Sequence, residues 1–105
     1  MVEILKACER GIRSLPTAIR EDLADAIARI EDGQTLSMPL SRPMSGIASA
    51  VHELRLKDKS GIYRIIYILI GFGRIVIVSA FKKNSQQTPK QEIELARQRI
   101  RGIEK

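Results

Sequence analysis

Residues 51–83 decide the fold and read VHELRLKDKSGIYRIIYILIGFGRIVIVSAFKK. In the first seven residues, Leu54 and Leu56 fall on one face and Glu53, Arg55 and Lys57 on the other, an alternation typical of a strand with one buried face. Two runs rich in β-branched and aromatic residues follow, and this composition favours strands. Turn-forming residues, among them Asp58 and three glycines, separate the segments. The pattern predicts a three-stranded antiparallel meander, with strands at 51–57, 62–70 and 75–83 and turns at 58–61 and 71–74.

The register of this meander follows if both turns contain an even number of loop residues. Ile70 then pairs with Ile75, Arg55 lies directly opposite Arg64, and Arg64 lies opposite Phe81. One end of one sheet face then carries four basic side chains and one aromatic side chain: Arg55, Lys57, Arg64, Phe81 and Lys83. The continuation of that face toward Ile66 and Ile68 is apolar, so we expect half of the face to be packed and half to be open.

Helices are predicted on both sides of the meander. One helix starts at Pro16, whose missing N–H suits a first helical position, and ends at a glycine cap, Gly33. Another follows Thr88 and Pro89, which are suited to its N-terminal cap, after a polar loop at 84–87.

Two N-terminal segments have weaker patterns. Residues 2–15 fit a short strand at Val2 and Ile4 or a helical face, and the sequence leaves both open. Residues 34–49 contain two prolines and a glycine and are predicted to form an irregular loop. The elements together predict one α+β domain spanning 1–105, with N-terminal helices packed on a small antiparallel sheet, room for a fourth, N-terminal strand, and a C-terminal helix.

Composition limits the function classes. The 105 residues carry a formal net charge of +6, and the excess of Lys and Arg lies after residue 51. Such a basic half favours a polyanionic partner, an anionic membrane surface or an acidic protein. The longest apolar stretch, 65–73, is far shorter than the roughly 20 residues that span a bilayer, so no membrane partner is expected. The N-terminus does not resemble a secretory signal, which predicts a cytoplasmic protein.

Metal and cofactor chemistry have little basis in the sequence. One cysteine and one histidine are too few for a structural zinc site, and neither a metal nor a cofactor is expected. Cys8 is expected to be a packed small hydrophobe. His52 shares the predicted face of Leu54 and Leu56 and is expected to pack there.

The basic end of the sheet allows two interpretations. Like charges directly across strands destabilise a sheet, so Arg55 and Arg64 need an anionic neighbour or an anionic ligand. Glu53 is the nearest candidate neighbour, which would make the cluster a solvated basic face. The alternative is a phosphate-binding groove in which the arginines contact phosphate and Phe81, or Tyr63, stacks a base.

A family resemblance rests on five segments in order. These are Val51-His52-Glu53-Leu54-Arg55, Tyr63-Arg64-Ile65-Ile66-Tyr67, Ala80-Phe81-Lys82-Lys83, Thr88-Pro89, and Ile93-Glu94-Leu95-Ala96 with Arg99. In their order and spacing, across about residues 15–102, they resemble the phage-derived HigB-like toxins of the RelE/ParE superfamily. The resemblance implies the compact α+β fold of that superfamily.

The resemblance also implies a function. Such toxins of type II toxin–antitoxin modules are mRNA interferases, which cut ribosome-bound mRNA by attack of a ribose 2′-hydroxyl on the adjacent phosphate. Matching positions make Arg64 the expected transition-state clamp, with Lys57 or Lys83 as the proton-transfer or charge-stabilising group. The remaining matched and basic positions are expected to bind RNA: Arg55, Phe81, Lys82, Arg97 and Arg101. In a regular strand Lys82 points to the opposite face.

Two classes of function therefore remain after the sequence is read. The first is a ribosome-dependent mRNA endonuclease, with the ribosome, mRNA and a HigA-like helix-turn-helix antitoxin as partners. The second is a non-enzymatic binding module, either a ParE-like gyrase inhibitor or a degenerate toxin that only binds its antitoxin.

Overall fold

The computed structural model describes residues 2–44, 46–47, 50–71, 74–83 and 90–103. In chain order the elements are β1 (Val2–Ile4), α1 (Lys6–Arg13), α2 (Thr17–Glu31), β2 (Ser41–Pro43), β3 (Val51–Asp58), β4 (Gly61–Ile70), β5 (Arg74–Lys83) and α3 (Lys90–Ile103). The strands form one sheet in the order β1-β5-β4-β3-β2. β1 runs parallel to β5, and the other neighbours are antiparallel.

The sheet is packed on both faces. The α2 face carries Leu54, Leu56, Tyr63, Ile65 and Tyr67 against Ile19, Leu23 and Ala26 of α2. The α3 face carries Val51, Ile66, Ile68, Val76 and Val78 against Ala96 and Ile100 of α3. The apolar half of the predicted basic face is therefore covered by α3. His52 stacks on Tyr67 with ring centroids 5.4 Å apart, as expected for a packed histidine of the α2 face.

The α+β class is confirmed, but the sheet is five-stranded and mixed, whereas a three- or four-stranded antiparallel sheet was expected. Residues 2–15 form both alternatives in succession, a strand and then a helix. β1 pairs Val2 with Ile75 as a parallel edge strand. Three residues are too few to show the two-residue period of a strand, so the sequence pattern does not identify it.

The other added strand, β2, lies inside the predicted irregular loop. Ser41 pairs with Leu54, and its hydroxyl lies 2.8 Å from the hydroxyl of Tyr67, which ties this segment to the α2 face. Pro43 ends the strand at the sheet edge, where a missing N–H costs no ladder hydrogen bond. The breakers in this segment therefore permit a short edge strand.

The helix boundaries agree closely with expectation. α2 begins at Thr17, one residue later than predicted, because Pro16 has the extended backbone of an N-cap residue. Gly33 has φ +91°, the left-handed conformation that a glycine cap provides. The predicted turn positions 72–73, the loop 84–87 and the cap at 88–89 lie outside the described residues.

The predicted register is correct where it positions the basic residues and wrong at the second turn. Arg55 pairs with Arg64, and Arg64 pairs with Phe81. Ile70, however, pairs with Arg74 and not with Ile75, because three residues separate β4 from β5. A β-bulge then adds one residue to β5, since Ile66 pairs with Ser79 and Tyr67 with Ile77. The odd turn and the bulge shift the register in opposite directions, so the pairing at the basic end is unchanged.

The extra residue of the bulge is Val78, and Arg99 of α3 stabilises it. Nη1 of Arg99 donates a 2.7 Å hydrogen bond to the carbonyl oxygen of Val78 and lies 3.3 Å from Sγ of Cys8. Cys8 is buried, as expected, and burial raises the pKa of its thiol. Arg99 therefore joins α3, β5 and α1, which is a structural role that helix periodicity does not predict.

Candidate anion-binding site

Two arginines face each other across β3 and β4 on the α3 face. Arg55 and Arg64 are direct cross-strand partners, the arrangement that the sequence predicted. Glu53 lies two residues before Arg55 on β3, on the same face of the sheet, and is 1% exposed. Nε of Arg64 lies 3.5 Å from Oε1 of Glu53, an ion-pair distance. The anionic neighbour that the sequence suggested is therefore present.

Glu53 does not satisfy the arginines fully. Nε of Arg55 and Nε of Arg64 are both buried, and neither has a hydrogen-bond partner within the described part of the chain. A buried donor without a partner costs about 1–3 kcal/mol. Two such donors on adjacent strands form a site in which an anionic oxygen would be stabilised.

A pocket opens beside this pair of arginines. It has a volume of about 410 Å³ and is lined by Arg55, Arg64, Lys57, Ile62 and Leu56 of the sheet, with Pro39 and Leu40 from the segment before β2. A pocket of this size is large enough for a small ligand or a nucleotide. Three of the predicted site residues therefore line one cavity.

A third arginine extends the positive charge. Arg42 of β2 pairs with Glu53 of β3, so it lies on the same face at the sheet edge. Burial lowers the pKa of Arg64, and the charges of Arg55 and Arg42 act in the same direction, while Glu53 opposes them. The guanidinium stays a cation, because arginine is not deprotonated in proteins.

Lys83 lies at the same end of the sheet, opposite Ile62 on the α3 face. The residue is 6% exposed, and burial is the main cause that lowers the pKa of its ammonium group. The positive charge of Arg64 lowers the pKa of Lys83 further, and Glu53 raises it. A lysine accepts a proton only as the neutral amine, and the lowered pKa of Lys83 favours that form.

The other predicted residues occupy different environments. Lys57 is exposed and lines the pocket, whereas Phe81 is half-buried and packs against the apolar core of the α3 face. Lys82 pairs with Tyr63, which places it on the α2 face, away from Arg64. Of these three residues, Lys57 alone is both at the pocket and open to solvent.

The two predicted RNA-binding arginines of α3 are separate from the pocket. Arg97 donates a 2.8 Å hydrogen bond to Oε2 of Glu94 and a 2.9 Å hydrogen bond to the carbonyl oxygen of Gly46. Arg101 is exposed in the last turn of α3. Neither residue lines the cavity beside Arg64.

Sequence reasoning missed Arg42 and the contribution of Pro39 and Leu40. The segment that contains them has no strand-like alternation, so no pattern indicated that it would lie along β3. The signal that the sequence offered for this part of the site was Arg42, a basic residue directly before the predicted breaker Pro43.

No group of three or more potential metal ligands occurs among the described residues. None of the helices in the described ranges is long and apolar enough to cross a membrane. The arrangement is thus a cationic pocket built from guanidinium and ammonium groups. Chemically it can bind an anion such as a phosphate and can place a lysine near it for proton transfer.

The chain belongs to the phage-derived Gp49-like protein family, whose sequence model matches residues 10–101. This is a family of toxin-like proteins in toxin–antitoxin systems. No curated protein matches the chain. The expected phage-derived, toxin-like family is confirmed, and the HigB-like assignment within the RelE/ParE superfamily stays a prediction.

Proposed function

We propose that this protein is the toxin of a type II toxin–antitoxin module and cuts mRNA on the ribosome. The observation that supports this most directly is the pair of buried, unsatisfied guanidinium Nε groups of Arg55 and Arg64 beside an open pocket. A scissile phosphate would supply the acceptor oxygens that these donors lack. Membership of a toxin-like family supports the same assignment.

The proposed reaction is attack of a ribose 2′-hydroxyl on the adjacent phosphate, with loss of the 5′-oxygen of the next nucleotide. Negative charge develops on the non-bridging oxygens, and Arg64, with Arg55, is positioned to stabilise it. One group must accept the 2′-hydroxyl proton and one must protonate the leaving oxygen. The lowered pKa of Lys83 supports this residue for proton acceptance, and exposed Lys57 then supplies charge or a proton at the leaving group.

The partners in this proposal are the ribosome with its mRNA and a HigA-like helix-turn-helix antitoxin, all in the cytoplasm. The antitoxin would neutralise the toxin by an acidic segment or by blocking access to the ribosome. An adjacent downstream gene for a small helix-turn-helix protein would support this arrangement.

One observation favours the second candidate, a toxin without catalysis that only binds its partner. Two of the three proposed catalytic side chains, Arg64 and Lys83, are more than nine-tenths buried. A buried arginine paired with a buried carboxylate is also a common structural feature. The two functions differ in one observable, which is whether RNA is cut.

The test is induced expression followed by primer extension on cellular mRNAs, for wild type, Arg64→Ala and Arg64→Lys. The lysine variant keeps a cation beside Glu53, which protects against loss of folding. Wild type is expected to arrest growth and to produce new mRNA 5′ ends, and both variants are expected to lose them. Growth arrest without mRNA cleavage would exclude the nuclease, and full toxicity of both variants would exclude Arg64 as the clamp.

A further inference from the structure

A second pocket lies between α3 and the segment that follows β2. It has a volume of about 290 Å³, and the apolar residues Met44, Ile47 and Ile93 line it together with Arg42 and Arg97. A cavity of this size lies at the small end of the range for ligand sites. It combines an apolar lining with two guanidinium groups, which is the combination that a nucleotide, with its flat base and its phosphate, requires.

The two arginines are held in different ways. Arg97 is fixed by Glu94 and by the carbonyl oxygen of Gly46, at 2.8 and 2.9 Å. Nη2 of Arg42 contacts Sδ of Met44 at 3.4 Å, and within the described residues Arg42 forms no ion pair. The pocket therefore has one arginine held by two hydrogen bonds, Arg97, and a second arginine, Arg42, which is the cross-strand partner of Glu53.

Arg42 connects this pocket with the site described above. It lines the second pocket, and its charge lowers the pKa of both Arg64 and Lys83. Arg42 and Arg64 are two strands apart and two residues out of register, which corresponds to about 12 Å between their Cα atoms. That length spans about three or four nucleotides of a stacked strand, at about 3.4 Å per nucleotide.

We infer that this second pocket is a nucleotide subsite, which binds one base of single-stranded RNA against Met44, Ile47 and Ile93 and the neighbouring phosphate on Arg42 and Arg97. The inference rests on the proposed function, because the same strand would pass through the Arg55–Arg64 site. An acidic peptide with an apolar residue is the competing occupant. RNA is favoured because the positive charge continues from the pocket to Arg64 over a distance that about three or four nucleotides span.

The first experiment is an NMR titration of ¹⁵N-labelled protein with two 2′-O-methyl uridine oligonucleotides, which cannot be cut. A dinucleotide with one phosphate should shift the amide signals of Arg55 and Arg64 only. A hexanucleotide should shift those signals and also the signals of Gly46 and Ile47. If Arg55 and Arg64 respond to neither oligonucleotide, the phosphate-binding role of this pair, on which the proposed function rests, is overturned. If they respond while Gly46 and Ile47 stay unchanged with the hexanucleotide, only the subsite is overturned.

Substitutions at α3 give the second experiment, read by the anisotropy of a fluorescein-labelled hexanucleotide. Arg97→Gln should weaken binding about five-fold at 0.1 M salt, because loss of one phosphate contact lowers the salt slope by about 0.7. Glu94→Gln should strengthen binding, because it removes the carboxylate that competes for Arg97. Arg20→Gln, at an exposed position of α2, is the matched control and should leave the affinity unchanged.

Arg97→Gln and Glu94→Gln are expected to change the affinity for the hexanucleotide in opposite directions. Because loss of folding cannot strengthen binding, the two variants together separate an effect on recognition from an effect on stability. Equal affinity of wild type and both α3 variants for the hexanucleotide would overturn the subsite. An acidic, leucine-containing peptide provides the last comparison. If Arg97→Gln lowers the affinity for the peptide and leaves the affinity for the hexanucleotide unchanged, the pocket binds protein and the inference is wrong.

Discussion

The buried Glu53–Arg64 pair gives the sharpest test of the energetics. Glu53 is 1% exposed and, among the described residues, is the one carboxylate in a cluster with four cations, Arg42, Arg55, Arg64 and Lys83. Removing one partner of a buried ion pair costs about 3–5 kcal/mol. The 3.5 Å contact lacks hydrogen-bond geometry, so we expect the lower end of this range, about 3 kcal/mol, for Glu53→Gln.

Removing the other partner of the ion pair, Arg64, should lower the free energy of unfolding by less. In Arg64→Met, Glu53 keeps Lys83 as a cationic neighbour, because the two groups interact electrostatically. We expect about 2 kcal/mol, within the range for a buried charged group that loses one partner. The double variant should lose less than the sum of the single variants by about 1–2 kcal/mol, which is a normal coupling for residues in contact.

Urea unfolding of the four proteins measures these values by linear extrapolation. For a domain of this length, each 1 kcal/mol also shifts the melting temperature by roughly 4 °C. Inorganic phosphate should stabilise Glu53→Gln more than wild type, because the cluster then lacks its carboxylate. Additive losses, or a Glu53→Gln change below about 0.5 kcal/mol, would refute the view that Glu53 balances the cluster.

Three further predictions concern individual side chains. The pKa of Lys83 lies below its ordinary 10.5 in the folded state, so the unfolded chain binds more protons and stability rises with pH up to about 10.5; Lys83→Met should remove that rise in unfolding experiments at alkaline pH. Arg99→Met should cost about 1–3 kcal/mol, because the carbonyl of Val78 loses its donor, whereas exposed Arg101→Met should change thermal unfolding by less than about 0.5 kcal/mol. Gly61→Ala should cost about 1–3 kcal/mol in urea unfolding, since Gly61 has φ +147°, a backbone conformation that residues with a Cβ rarely adopt; stability equal to wild type would refute this strain.

The pairing of Arg55 with Arg64 was predictable because it depends on one short turn. Asp58 pairs with Gly61 across a two-residue loop, so counting residues from the alternating pattern places Arg55 opposite Arg64. The second turn is odd and a bulge at Val78 compensates for it, a combination that leaves no mark in hydrophobic periodicity. The prediction at Arg64 was therefore correct although one of its two assumptions was wrong.

The remainder of the site depends on tertiary contacts that sequence patterns do not encode. Alternation assigns Lys83 and Arg64 to a face, but it does not give the depth to which they are buried. Arg42 reaches the cluster only because the chain before β3 folds back as a three-residue edge strand. Arg99 has the position of a surface arginine on α3, and its bond to Val78 exists only because of the bulge.

In the proposed mechanism, the Arg55–Arg64 pocket promotes attack of an RNA 2′-hydroxyl on the adjacent phosphate. Incubation of purified protein with ribosomes and a defined mRNA, followed by chemical analysis of the fragment ends, tests this mechanism. We expect ribosome-dependent cleavage with a 5′-hydroxyl on the downstream fragment and a 2′,3′-cyclic phosphate on the upstream fragment. Arg64→Lys should lower the cleavage rate by about 10²–10³ while the variant stays folded. Intact mRNA with wild-type protein, fragments ending in a 5′-phosphate, or an unchanged rate for Arg64→Lys would refute this mechanism.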